Sequence, residues 1–339
     1  MVASSGMEAP RTRRRPWLWV LVALIVLIGL YTAGWYYAAS VLKANVLRTL
    51  GKQDAAGITG ECVDMGLGGF PFGIGLSCAK VTIDDHSKGM SASFVGLSSS
   101  ARVYAPGDIT WTLQSPAEFR TAQGLTVSAE WQNLQSELTA RGSGIQQTAT
   151  VIDGLKAGIV SSFDGRSMDF GAARTEIHAR QNGDDLEATI GLEGANAVIK
   201  DFPQPLPTLA ASLDVTLKGK AGLLDGSDPT GQPLRGTSGL LHHMVADIGD
   251  GRTIKLSGPF SFDDQGYVSG QFKLEIDQVG PWRDGLVAIV PAAKHTIDLA
   301  SKLLRGLAAG GDSVSVDLTA DHGAVSLSGF IPLGRLPPI

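Results

Sequence analysis

Residues 60–78 read GECVDMGLGGFPFGIGLSC. The stretch holds both cysteines of the 339-residue chain, Cys62 and Cys78, on either side of the run Gly69-Phe70-Pro71-Phe72. Residues Glu61 to Met65 and Phe72 to Cys78 read as short strands, and the glycines and proline between them are turn formers. In a hairpin centred on Phe70 the two cysteines face each other. Directly opposed residues of an antiparallel pair have Cα atoms about 4.5–5.5 Å apart, within disulfide reach. Closing a loop of this size stabilises by about 3 kcal/mol in the chain-entropy picture. The reading is a disulfide-stapled hairpin. Two buried free thiols are the alternative. A redox pair is disfavoured, because such pairs usually sit as Cys-x-x-Cys.

Whether the thiols pair depends on the compartment, and the N-terminus bears on that. Residues 11–15 read RTRRR and are followed by an uncharged run from Trp17 to Ala39. As a helix, that run spans about 34 Å, enough for a hydrocarbon layer of about 30 Å. Trp17 and Trp19 mark one end; Tyr31, Trp35, Tyr36 and Tyr37 mark the other, as in interfacial aromatic belts. The basic cluster puts the N-terminus in the cytoplasm by the positive-inside rule. The expected layout is a cytoplasmic basic tail (1–16), a transmembrane helix (17–39), a juxtamembrane helix (40–57) and an exported domain (58–339). In a bacterium this is a single-pass inner-membrane protein with its bulk in the periplasm. The rival is a cleaved signal peptide cut near Ala38-Ala39-Ser40, against which stand the length of the run and its bulky aromatics.

Beyond residue 58 the composition favours strands. Over the whole chain glycine is abundant at 43 residues, aromatics make up 6%, and apolar residues 43%. Val81 and Ile83 alternate with polar neighbours, as do Leu125, Val127, Ala129 and Trp131. Hairpins are legible from Thr175 to Leu192 and from Thr253 to Ile276, and again around Asp321-His322-Gly323. One greasy edge per strand means an antiparallel sheet with a single apolar face. The segment Trp282 to Ala309 has helical spacing interrupted by Pro291. Pro203, Pro205 and Pro207 mark a linker or strand end, and Leu234 to Asp247 fits either a helix or a strand. The expected fold is mainly β: a large curved or sandwich-like antiparallel sheet, an N-terminal transmembrane helix and a helical segment at about 282–309.

Motifs for chemistry are scarce. Net charge is −5, which gives no global field for nucleic acid. The six histidines form no zinc spacing, and His242-His243 should point to opposite faces of a strand. Asp84-Asp85, Asp184-Asp185 and Asp263-Asp264 fall where turns and strand ends favour aspartate. No nucleophile elbow or phosphate-binding glycine loop occurs. No catalytic residue, metal or cofactor is expected, and the protein is read as non-enzymatic.

The basic N-terminus, the single span and the Cys…Gly-Phe-Pro-Phe…Cys hairpin together resemble a bacterial envelope family, domain of unknown function 2125. The C-terminal run Gly329-Phe330-Ile331-Pro332-Leu333-Gly334-Arg335-Leu336-Pro337-Pro338 is similar to that family's ending. The common family form carries Arg after Pro-Phe; Gly73 stands there in this chain, so no role of that arginine carries over. The family's layout is distantly similar to the AsmA-like group, whose anchored β-sheet folds into a greasy groove and which is associated with phospholipid traffic and envelope assembly. The resemblance implies lipid binding for envelope maintenance, with membrane lipid as partner. Ile254, Leu256, Phe260, Phe272, Leu274, Val316 and Val325 are the residues expected to line such a groove. A scaffold with a filled β core that binds an envelope protein is the alternative, and an exported hydrolase the third reading.

Overall fold

The computed structural model describes residues 16–50, 58–86, 89–142, 144–163, 165–200, 207–224, 234–289, 291, 294–307, 311–329 and 331–339. The first helix, α1 (Pro16–Leu50), is 35 residues long and takes in the apolar run and residues 40–50 of the stretch after it; the basic tail before Pro16 and residues 51–57 lie outside the described residues. The described strands are β1 (Ile58–Val63), β2 (Gly66–Gly68), β3 (Gly73–Asp85), β4 (Met90–Arg102), β5 (Ala105–Arg120), β6 (Leu125–Glu130), β7 (Asn133–Arg141), β8 (Gly144–Ser161) and β9 (Ser167–Asn182). They continue as β10 (Asp185–Ile199), β11 (Leu209–Leu217), β12 (Ser238–Asp247), β13 (Thr253–Phe262), β14 (Val268–Ile276), β15 (Val314–Asp321), β16 (Ala324–Leu327) and β17 (Ile331–Arg335). Two helices, α2 (Val279–Ile289) and α3 (Lys294–Leu307), lie between β14 and β15. Pro203 and Pro205 fall outside the described residues.

All described strands join one antiparallel sheet, paired in chain order as a long meander. Two positions are shared. β1 and β2 each pair with part of β3. β6 and β7 together fill the place between β5 and β8. Leu234 to Asp247, ambiguous in sequence, contributes β12. Its partners explain the choice: Leu241 lies opposite Val215 on one side and Gly258 on the other, so the segment is held between two strands.

The strands are longer than the sequence suggested. β8 runs for 18 residues, and β5 and β9 for 16 each. Their alternation is broken midway by bulges, which hides their length from a period-two reading. Gly96, Gly154 and Gly194 have φ of 63°, 64° and 60°, a left-handed conformation that glycine adopts without penalty. The pairing of β3 to β5 and of β8 to β11 is interrupted at these positions. A Cβ on Gly194 would sit 3.1 Å from that of Ala173, and one on Gly154 would meet the Gln132 side chain at 2.8 Å, so neighbouring bulges stack. A seam of bulges thus crosses the sheet, and each bulge bends and twists its strand.

Little of this sheet is covered by a second layer. The helices sit at the two ends, α1 beside β1 and α3 beside β15. Yet in the middle of the sheet one face is buried: on β7, Leu134 and Ser136 are buried while Asn133, Gln135 and Glu137 are exposed. Burial of one face without a covering helix requires the sheet to curl over that face. The conventional core is small: Ile276, Val279, Val314, Val316 and Leu327, with Trp282 and Leu304 packed on it.

Candidate functional site

Cys62 and Cys78 form a disulfide with a Cα–Cα distance of 5.4 Å. The register differs from a hairpin centred on Phe70: Cys62 lies opposite Val81, and Gly66 opposite Ser77. The chain kinks between β1 and β2, where Asp64 has φ 52°, and the disulfide bridges this break. The turn itself docks on α1. Trp35 Nε1 donates to the Gly73 carbonyl at 2.7 Å, and the Tyr31 hydroxyl donates to the Pro71 carbonyl. The Phe70 ring meets Trp35 edge-on at 5.4 Å and stacks on Tyr36 at 6.3 Å. Among the described side chains of α1, Trp35 and Ala39 are the buried ones, and Trp19 through Leu30 are exposed.

From this docked edge a single row of opposed residues crosses the sheet. It runs Leu76, Ser99, Trp111, Ser136, Thr150, Ile177, Ile190, Leu213, Met244, Leu256, Leu274, Val316, each directly opposite the next. The row spans β3 to β15; at about 4.8 Å per strand step it is roughly 53 Å long. Nine of its members are apolar and three carry hydroxyls. The adjacent row on the opposite face is polar or small except at Val151 and Val245: Ser77, Ser98, Thr112, Gln135, Val151, Glu176, Gly191, Ser212, Val245, Lys255, Glu275, Ser315. The sheet therefore has one continuous apolar side, buried or half-buried along the row except at Met244, which is 43% exposed.

The seven residues expected to line a groove all fall on that side. Leu256, Leu274 and Val316 belong to the row itself, and Ile254 lies opposite Ile276 one step along the same face. Phe260 pairs with Gly270, Gly270 with Ala320, and Ala320 with Val325; Phe272 pairs with Leu318. Val316 is buried and the other six are half-buried. Ile254, Leu274 and Val316 lie in the small core beneath α2 and α3 rather than on an open wall. The sequence reading missed most of the face, from Leu76 on β3 to Met244 on β12. Each strand's apolar positions were visible, but the bulges shift them by one residue midway, and only the register shows that they line up.

At the far end α2 and α3 cap the apolar side. A cavity of about 200 Å³ remains beneath them, lined by Ile254, Ile276, Val279, Trp282, Leu286 and Leu304 among others. Trp282 Nε1 is buried there without a hydrogen-bond acceptor. The helix pair is clasped by Asp298, which accepts from Lys294 Nζ at 2.6 Å and Arg283 Nε at 2.7 Å. Those two cations hold its carboxyl down to about 2. The middle of the face carries a hydroxyl band: Thr150 donates to Ser136 at 2.8 Å, and Ser136 lies 3.3 Å from Thr148. Thr175 Oγ1 is buried nearby with no partner.

The remaining candidates lie elsewhere. His242 is the extra residue of a bulge, so it and His243 are both exposed instead of facing opposite ways; His242 Nε2 lies 2.9 Å from Thr216 Oγ1. Asp263 accepts from His322 Nδ1 at 2.6 Å and from the backbone N–H of Tyr267. This pair fastens the turn before β14 to the turn before β16. The C-terminal residues lie over the same turns, with Leu336 N donating to Gly323 O at 2.8 Å and Ile339 N to Gly266 O at 3.0 Å.

The molecule is thus an apolar N-terminal helix docked on a large antiparallel meander with one continuous apolar side. It belongs to a family of bacterial proteins, DUF2125, described as an uncharacterized protein conserved in bacteria; the match covers residues 35–337. The matched region begins at Trp35, the residue that binds the turn. No curated protein matches the chain.

Proposed function

We propose that this protein is held in the bacterial inner membrane by α1, with the sheet in the periplasm, and that it binds lipid acyl chains along the apolar side of the sheet in the service of envelope maintenance. The role is non-enzymatic and of AsmA-like character. The observation that carries the reading is the row from Leu76 to Val316, which joins the helix-docked edge to the capped end without a charged residue. An acyl chain laid along it gains about 0.8 kcal/mol per CH₂ removed from water. The N-terminal run, the one described helix apolar enough to cross a membrane, puts the lipid source beside one end of the row. The arginines before the span set the orientation.

Photocrosslinking tests this reading. The full-length protein would be incubated with a phospholipid carrying a photoreactive acyl chain, and the adducts mapped by peptide mass spectrometry. Adducts at inner positions such as Ile190, Leu213 and Leu256, reduced by Leu213→Asp, are expected. Adducts restricted to α1, or spread equally onto outer positions such as Gln135 and Lys255, would remove the lipid-trough reading and favour a scaffold that binds an envelope protein.

A further inference from the structure

The turn that docks on α1 leaves large apolar side chains facing outward. Phe72 and Tyr104 are each 75% exposed, and Phe70 and Val103 are 47% and 39% exposed. They come from two turns joined by a hydrogen bond, Val103 N donating to Phe72 O at 3.0 Å, and by the pairing of Gly73 with Arg102. Arg102 lies 6.0 Å from the centre of the Tyr104 ring. On an ordinary wetted edge such a cluster costs hydration free energy, and edge turns are normally polar.

Its height along α1 explains it. The apolar helix segment runs from Trp19 to Ala44. A hydrocarbon layer of about 30 Å that starts at Trp19 ends near Ala39, at about 1.5 Å per residue. Tyr31 and Trp35, which bind the Pro71 and Gly73 carbonyls, stand in the last turns before that boundary, in the aromatic belt of its interface. The turn cannot be at this height and stand clear of the bilayer. Tyr104, an aromatic side chain with a polar tip, and Arg102 beside it match the chemistry of the interfacial layer, and the Phe70 and Phe72 rings supply the apolar surface that enters it.

We infer that Phe70–Phe72 and Val103–Tyr104 form a second membrane contact, a foot that enters the interfacial layer of the leaflet on the sheet side, next to α1. The occupant is the lipid bilayer itself, and the inference rests on the reading of α1 as a membrane span. Ile74 and Leu76 follow the foot directly on β3 and open the apolar side, paired with Ala101 and Ser99. The foot therefore seats the first strands of the trough against the bilayer surface, where an acyl chain leaves the membrane.

The test uses full-length protein with the Cys62–Cys78 bond intact, reconstituted in vesicles of phosphatidylethanolamine and phosphatidylglycerol. Single cysteines at Phe72, Tyr104, Ile28 and Phe163 would each carry an environment-sensitive fluorophore. Phe163 is 92% exposed, in the turn between β8 and β9 at the ends of the strands away from the foot, and reports water. Probes at 72 and 104 should show blue-shifted emission and strong quenching by shallow nitroxide lipids, with 163 unquenched. Water-like emission from 72 or 104, with 28 quenched by deep nitroxides, would overturn the foot and leave the anchor standing. Water-like emission from 28 would overturn the anchor, and the foot with it.

Discussion

The two ends of the sheet are made from the same alternating sequence and differ in what covers them. At the capped end, Ile276, Val314 and Val316 are buried beneath α2 and α3, with Val279 and Leu327 completing a dry core. At the docked end, Ile74 and Leu76 occupy the same face but are only half-buried, and Phe72 and Tyr104 project outward. The first end has a second layer and behaves as ordinary protein interior. The second has none and is held by a disulfide, two hydrogen bonds to α1 and a set of aromatic contacts. Rigidity at the docked end thus comes from cross-links rather than packing, which leaves its apolar surface free.

The most severe test of that contrast is one substitution made at both ends. Val316→Asp places a charge in the dry core and should cost about 3 kcal/mol or more, whereas Leu76→Asp at the half-open end should cost about 1 kcal/mol. Equal losses in denaturant unfolding would show that both ends are packed alike. Removing the staple comes next. Cys62→Ser with Cys78→Ser opens a link across 16 residues and should lower stability by about 3 kcal/mol, seen mainly as early hydrogen exchange in β1 to β3. Gly194→Val tests the seam: a β-branched residue at φ 60° against Ala173 should cost about 2 kcal/mol and loosen β9 to β11. Trp35→Phe removes the indole donor to Gly73 but keeps the ring. It should cost about 1 kcal/mol and raise protease sensitivity at the turn, without affecting α2 and α3.

The smallest effect expected is in pH. The Asp298 carboxyl sits at about 2, below its ordinary 3.8, because Lys294 and Arg283 favour its ionised form. A depressed value means the clasp contributes fully above about pH 4 and fades as pH falls toward 2. Trp282 fluorescence should report loosening of the cap in that window, and Asp298→Asn should abolish the change. The docked end has no such clasp among the described residues, so the Phe70 contacts should not follow it.

Much of this fold is legible in the sequence. The uncharged run after the arginines, the antiparallel alternation, the broken helix around Pro291 and the pairing of Cys62 with Cys78 are all local signals, each written within a few tens of residues. The seven residues from Ile254 to Val325 were readable as one face because β13 to β16 are short and mostly free of mid-strand bulges.

What the sequence could not convey depends on register. The Cys62–Cys78 link spans a kink at Asp64 that no hairpin rule anticipates. The row from Leu76 to Val316 forms only when twelve strands are aligned, and each bulge at Gly96, Gly154 or Gly194 flips the apolar phase midway. Likewise nothing local says that Phe70 meets Trp35, 35 residues earlier in the chain. Sequence by itself determined which residues are apolar and which stretches extend, because those follow from side-chain chemistry and backbone preference. The tertiary structure alone decided that the apolar positions join into one side, that helices cover only one end of it, and that the other end stands at the aromatic end of α1, because long-range pairing, not local preference, sets which strands lie side by side.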